Sequence, residues 1–118
     1  MKIEIGTFTP DASSKTLVLD DDTLQIKAIH FQVSKAGTNV NLSTGFSDSI
    51  KNRAAYTTDN ASKKSGRSTT YSVNHYDSTT LKLAGSIPAT GFDTVGEFTM
   101  NFDNIDSSYT VDFIAYGE

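Results

Sequence analysis

The chain has 118 residues, a formal net charge of −4 and no cysteine. This length suits a single domain over residues 1–118 with a core large enough to fold without cross-links, and the lack of cysteine excludes disulfides and thiolate chemistry. The negative charge argues against binding to nucleic-acid backbones, and the apolar runs are far shorter than the ~20 residues that span a membrane.

Apolar and polar residues alternate along most of the chain, and this period is typical of β-strands. Near the start, Ile3, Ile5 and Phe8 predict a first strand that ends at Pro10. Because this segment alternates and forms no continuous apolar block, we interpret it as a strand and not as a signal peptide. A second strand is expected around Leu17.

The segment Leu24–Val33 predicts a central strand. Alternation places Ile26 and Ala28 on one face of this strand, and Ile29 and Phe31 on the other. Apolar residues on both faces are typical of a strand that is covered on both sides.

The middle of the chain is less regular. A strand is expected over Val40–Phe46, and residues 47–70 then have a Ser-, Thr-, Asn-, Lys- and Gly-rich composition. This composition predicts long loops with at most one weak strand around Arg53–Thr58. Two further strands are expected around Val73 and Leu83.

The end of the chain contains the clearest pair of strands, over residues 97–103 and 108–116, which we predict to form a hairpin. The whole chain then has seven to nine strands at short spacing. Ser and Thr make up about a quarter of the residues, which suits solvated strands and loops better than helices. The predicted fold class is therefore all-β, an antiparallel β-sandwich of jelly-roll-like type.

Several short motifs stand out along this pattern: IGTF at 5–8, IKAIHF at 26–31 and GFSD at 45–48, with the alternating segments 98–102 and 109–117 at the end. They resemble the GTFT, PKAIxF and GFSD succession of small β-sandwich structural proteins of tailed bacteriophages. The last segment is also similar to the final strand of the H-type lectin domain. The likeness covers both ends of the chain but not residues 50–90.

The resemblance implies a jelly-roll-like or H-type-lectin-like sandwich that forms a homo-oligomer, often a trimer or a hexamer, on a virion. Other virion proteins would be its partners, and the lectin-like ending implies a host surface glycan as a further ligand. Without a signal peptide, the protein would be made in the host cytoplasm and reach the virion from there. No nucleic acid or membrane is expected as a partner.

The polar residues do not indicate a metal site or a catalytic site. His30 and His75 are far apart in the sequence, and neither belongs to an HxH or HxxxH pair. The run Asp20–Asp22 has oxygen ligands that suit calcium, but it lacks the EF-hand spacing and is interpreted as a turn. Asp93 and Glu97 are interpreted as turn residues, and no GxSxG motif is present. We therefore predict no enzyme activity, no cofactor and no metal.

Charge is distributed unevenly. Residues 51–67 contain several basic residues and one acidic residue, Asp59. Residues 86–118 contain acidic residues but no lysine or arginine. The basic segment is either a solvated loop or a contact arm for an acidic surface, such as the C-terminal part of a neighbouring copy. Its candidate binding residues are Lys51, Arg53, Lys63, Lys64 and Arg67.

Two tyrosines complete the candidate binding residues. Tyr109 and Tyr116 lie on opposite faces of the last predicted strand, so we expect one of them to reach solvent or a subunit contact. Either ring could stack on a sugar. The sequence thus leaves two hypotheses, a virion structural protein (head decoration or tail-associated) that acts through subunit contacts, and a lectin-like adhesin module that binds a host glycan.

Overall fold

The computed structural model describes residues 1–35, 41–58 and 65–118. These residues form ten strands and contain no helix, so no helix among them could span a membrane. The all-β class is confirmed, and the number of strands is higher than the seven to nine that the sequence predicts. The strands are β1 (Lys2–Phe8), β2 (Ser14–Val18), β3 (Ile26–Ser34), β4 (Leu42–Ser47), β5 (Asn52–Thr57), β6 (Ser65–Ser68), β7 (Val73–Asp77), β8 (Thr80–Ser86), β9 (Glu97–Asn104) and β10 (Thr110–Gly117).

The strands form two antiparallel sheets. The six-stranded sheet has the order β1-β10-β3-β4-β5-β6, and the four-stranded sheet has the order β2-β9-β8-β7. Buried side chains from both sheets belong to one hydrophobic cluster, so the sheets pack face to face. This arrangement is the predicted antiparallel β-sandwich.

Phenylalanine rings from both sheets form the centre of the core. Phe98 of β9, in the four-stranded sheet, lies 6.1 Å from Phe8, 6.2 Å from Phe31 and 5.2 Å from Phe113, measured between ring centroids. Those three rings belong to β1, β3 and β10 of the other sheet, and each meets Phe98 edge to face. This geometry is the favourable one for aromatic pairs, so the cluster joins the two sheets.

The prediction that the last two strands form a hairpin is wrong. β9 pairs with β2 and β8 in the four-stranded sheet, whereas β10 pairs with β1 and β3 in the other sheet. Residues 105–109 therefore cross from one sheet to the other, and the apolar sides of the two strands face each other. The alternation correctly identified the buried side of each strand, but it holds no information on which strand lies beside it.

The position of β3 inside the six-stranded sheet is as predicted, but its two faces differ from the prediction. Ala28 pairs with Tyr116, whereas Ile26 pairs with Gly117, so the register shifts by one residue between them. This bulge turns Ile26 towards the core, on the same side as Ile29, and both side chains are buried. The opposite side of β3 carries His30 and is exposed to solvent.

The middle of the chain contributes more to the sheet than the sequence predicts. The weak strand expected around Arg53–Thr58 is β5, and β6 adds a further strand beside it. The strand expected over Val40–Phe46 is β4, although Val40 itself lies outside the described residues. β5 and β6 therefore place Arg53 and Arg67 on a regular sheet and not in a loop.

Gly45 allows the two sheets to approach each other closely beside β4. A Cβ atom at this position would lie 1.7 Å from the carbonyl oxygen of Ser72, the residue just before β7. Only glycine permits this contact, because the obstacle is backbone and cannot move aside as a side chain would. The contact fixes how closely β4 approaches the other sheet, and it thereby fixes the position of the neighbouring Phe46.

The phenylalanine cluster generates a stability prediction. Phe98→Ala should lower the free energy of unfolding by about 3–5 kcal/mol, because it removes a buried ring that contacts three others. Urea unfolding followed by far-ultraviolet circular dichroism at low protein concentration measures this loss. Phe46→Ala is the matched control, because its ring is 49% exposed, and we expect a loss of about 1 kcal/mol or less. Equal losses for the two variants would contradict this assignment of the core.

Candidate functional site

The outward side of the six-stranded sheet, here called the outer face, carries the candidate site. Strand pairing places its side chains in rows that run across the sheet. One row runs from β1 to β5 and consists of Ile5, Ile114, His30, Phe46 and Arg53. The adjacent row runs from β1 to β6 and consists of Thr7, Asp112, Gln32, Thr44, Ala55 and Arg67.

Large apolar side chains of the outer face remain in contact with solvent. Ile5 is 74% exposed, Ile3 is 57% exposed, and Phe46 and Leu42 are each 49% exposed. Single exposed apolar residues are common, whereas several on one sheet face make that face a candidate contact surface.

Three rings form a ridge across the middle of the outer face. The ring centroid of His30 lies 5.9 Å from that of Phe46 on β4 and 5.9 Å from that of Tyr116 on β10. The three rings thus span neighbouring strands with His30 in the centre. They provide an apolar platform on which a flat group or another side chain can pack.

Two of the shallow hollows on the outer face share His30 and Thr44 at their border. The first, here called the arginine hollow, has a volume of about 430 Å³ and is lined by Arg53 and Arg67 among others. The second, here called the aspartate hollow, has a volume of about 350 Å³ and is lined by Ile5, Asp112 and other residues. Arg53 and Arg67 therefore lie in the half of the outer face that β4, β5 and β6 form, and Asp112 lies in the half that β1, β10 and β3 form.

The structure brings only some of the predicted basic residues together. Arg53 and Arg67 share the arginine hollow, and Nη1 of Arg53 donates hydrogen bonds to the backbone oxygens of Asn52 at 2.8 Å and Thr69 at 3.0 Å. Lys51 is exposed in the turn between β4 and β5. Lys63 and Lys64 lie outside the described residues.

The two predicted tyrosines have different surroundings. Tyr116 belongs to the ring ridge and is partly exposed. Tyr109 is only 1% exposed, and its ring packs edge to face on His75 at 4.9 Å between centroids. The expectation that Tyr109 could stack on a ligand is therefore wrong for this fold, because its ring is enclosed where the chain crosses between the sheets.

Comparisons of this chain with protein families, with curated proteins and with solved structures each returned no match. The site is accordingly interpreted from its own geometry.

Several residues of the outer face were not identified as site residues from the sequence. Ile5, Phe46 and Asp112 each occupy an ordinary alternating position, so their patterns predict strands but no site. The one available signal was the segment around His30, where apolar residues on both faces predict a strand covered on both sides. In the structure its outer side has no cover from the described residues.

A second polar cluster lies inside the sandwich. Oγ of Ser43 on β4 and Nδ1 of His75 on β7 are 2.8 Å apart, and both side chains are buried. A serine beside a histidine has the spacing of a nucleophile and its base, but neither group in this pair is open to solvent. The hydrogen bond joins one sheet to the other, so we assign it a structural role.

The histidines do not share a site. His30 lies on the outer face and His75 in the core. Among the described residues, no three His, Asp or Glu side chains converge in a way that could hold a metal ion.

Burial makes His75 sensitive to pH. Removal from water lowers the pKa of His75 below its usual 6.5, and the charge of Asp77 opposes this shift only in part. The folded protein therefore holds His75 neutral, while the unfolded chain takes up a proton once the pH falls below about 6.5. The free energy of unfolding should consequently fall as the pH is lowered through 6.5, and level off below the folded-state pKa.

The test of this pH dependence is urea unfolding between about pH 8 and pH 5. His75→Gln should remove the decline over this range, whereas His30→Gln, at an exposed position, should leave it in place. Carboxylates with a lowered pKa change the free energy of unfolding only at more acidic pH. These carboxylates are Asp11, Asp21, Asp48 and Asp106. A decline that persists in His75→Gln would contradict the assignment.

Proposed function

We propose that this chain is a non-enzymatic structural protein of a phage virion, a head decoration or tail-associated protein that acts through subunit contacts. The observation that carries the proposal is the exposed apolar outer face, with Phe46 at its centre and arginines at its margin. The virion is the setting that the sequence resemblance implies.

The composition of the outer face supports contact with another protein. Aromatic residues and arginine are enriched at the centres of protein interfaces, and the outer face has three neighbouring rings beside Arg53. Covering exposed apolar surface is favourable by roughly 25 cal/mol per Å². A chain that keeps such a surface in water gives up this free energy until a partner covers it.

The outer side of the four-stranded sheet differs from the outer face. Thr16 and Thr99 lie opposite each other there, with their hydroxyl oxygens 2.9 Å apart. Val18 is the large apolar side chain on this side of β2, and it is 70% exposed. This contrast between the two sheets supports a contact surface on the six-stranded sheet.

Fractionation of particles tests the proposed function. The protein should co-purify with virions on a density gradient, where mass spectrometry of the particle fraction detects it. A photo-crosslinking phenylalanine at position 46 should join the chain to virion protein in those particles, and the same residue at position 18 should not. A protein that stays out of the particle fraction contradicts the proposal.

A second candidate function is a lectin-like adhesin module, and the ring ridge beside Arg53 favours it. The apolar face of a sugar ring packs on aromatic rings, and an arginine binds the carboxylate of an acidic sugar. On this hypothesis Tyr116→Ala should weaken binding on a glycan array roughly tenfold or more, while Val18→Ala should leave it unchanged. An array and a host-cell binding assay that both show no binding would remove this candidate.

A further inference from the structure

We propose that the outer face binds the same face of a second copy of this chain, and that the pair has two-fold symmetry. In this dimer Asp112 of each copy enters the arginine hollow of the other. The inference rests on the proposed function, because it specifies one of the subunit contacts that such a protein makes.

The order of strands defines the geometry of this pairing. A two-fold axis that runs along the strands between β3 and β4 exchanges β3 with β4, β10 with β5, and β1 with β6. Such an axis keeps each row of side chains opposite the same row of the second copy. The contact is thus isologous, and each contact that it contains occurs twice.

Apolar groups meet at the centre of this contact. His30 of one copy lies opposite Phe46 of the second copy, because the two residues share a row on β3 and β4. Both ring pairs would be enclosed at the axis, where interface residues contribute most to binding. In the same row Ile114 lies opposite the aliphatic part of Arg53 of the second copy.

The charges of the outer face complement each other under the same symmetry. Asp112 on β10 lies opposite Ala55 on β5 of the second copy, since the two residues share a row. Arg67 is the next residue along that row, one strand away at about 4.8 Å, and Arg53 is on the same strand at a distance of about 6.8 Å. Each aspartate therefore faces the pocket between two arginines, and no like charges are placed opposite each other in these rows.

This charge arrangement is the reason for choosing a second copy as the occupant. The arginine hollow and the aspartate hollow lie on one face of one chain, on the two sides of the border that His30 and Thr44 form. A partner of another sequence would need the reverse pattern to match both hollows, and a rotated copy has that pattern by symmetry.

The size of the outer face determines the affinity that we expect for this dimer. Six strands and four rows of side chains measure about 24 Å by about 20 Å, which is a flat area of about 500 Å² per copy. Standard interfaces bury roughly 800 Å² per partner. We therefore expect a dimer that forms in the micromolar range or above and separates on dilution.

Sedimentation equilibrium of the full chain over about 1 to 500 µM tests the pairing. The wild type should show a reversible monomer–dimer equilibrium. Phe46→Lys should weaken it about tenfold or more, whereas Val18→Lys, an equivalent change on the other sheet, should leave it unchanged. Circular dichroism confirms that each variant is folded.

Charge reversal tests the symmetry itself. Asp112→Arg and Arg67→Asp should each weaken dimerisation alone, because each places like charges opposite each other twice. A mixture of the two variants should dimerise again, since the two introduced charges then pair with each other at one end of the contact and the native Asp112 and Arg67 pair at the other end. Asp93→Arg makes the same change in net charge as Asp112→Arg, but in the exposed loop between β8 and β9 of the other sheet, and should have no effect.

Three results would overturn the pairing: a wild type that is monomeric throughout, an oligomer that persists in Phe46→Lys, or a mixture of charge variants that stays monomeric. These results are distinct from failure of the proposed function. A monomeric protein that is still found in particles retains the structural role without the pairing, whereas a dimer that never enters particles retains the pairing without the virion.

Discussion

Contact between phenylalanine rings of opposite sheets is the interaction on which the rest of the structure depends. Phe98 comes from the four-stranded sheet, and Phe8, Phe31 and Phe113 come from the six-stranded sheet, so the two sheets are joined where these rings meet. Since successive side chains of a strand point to opposite sides, burying these rings also decides what each strand presents to solvent.

The outer face follows directly from this constraint. With Phe31 and Phe113 directed inwards, their neighbours His30 and Ile114 are directed outwards and lie side by side. Pairing of β4 with β3 then adds Phe46 beside His30. The exposed ring ridge and the two hollows are thus a consequence of core packing, and the proposed contact with other subunits uses a surface that the fold leaves uncovered.

Two further contacts hold β4 in place beneath that surface. The Ser43–His75 hydrogen bond ties β4 to β7, and the close approach of Gly45 to Ser72 leaves no room for the strand to slip by a residue. A slip of one residue would move Phe46 to the inner side of the sheet. The buried Ser43–His75 pair and Gly45 therefore position Phe46 on the surface, although none of the three lies on the outer face itself.

The sequence by itself determined the all-β class, most strands and the buried side of nearly all of them, because alternation reports directly which residues are covered. It misjudged Ile26, where a bulge changes the period, and it placed Tyr109 among surface candidates although the crossing loop encloses the ring. Only the tertiary structure decided that β9 and β10 belong to different sheets and that Arg53, Arg67 and Asp112 share one face. The physical reason is that strand neighbours are chosen by packing between residues far apart in the chain, and no local period records that choice.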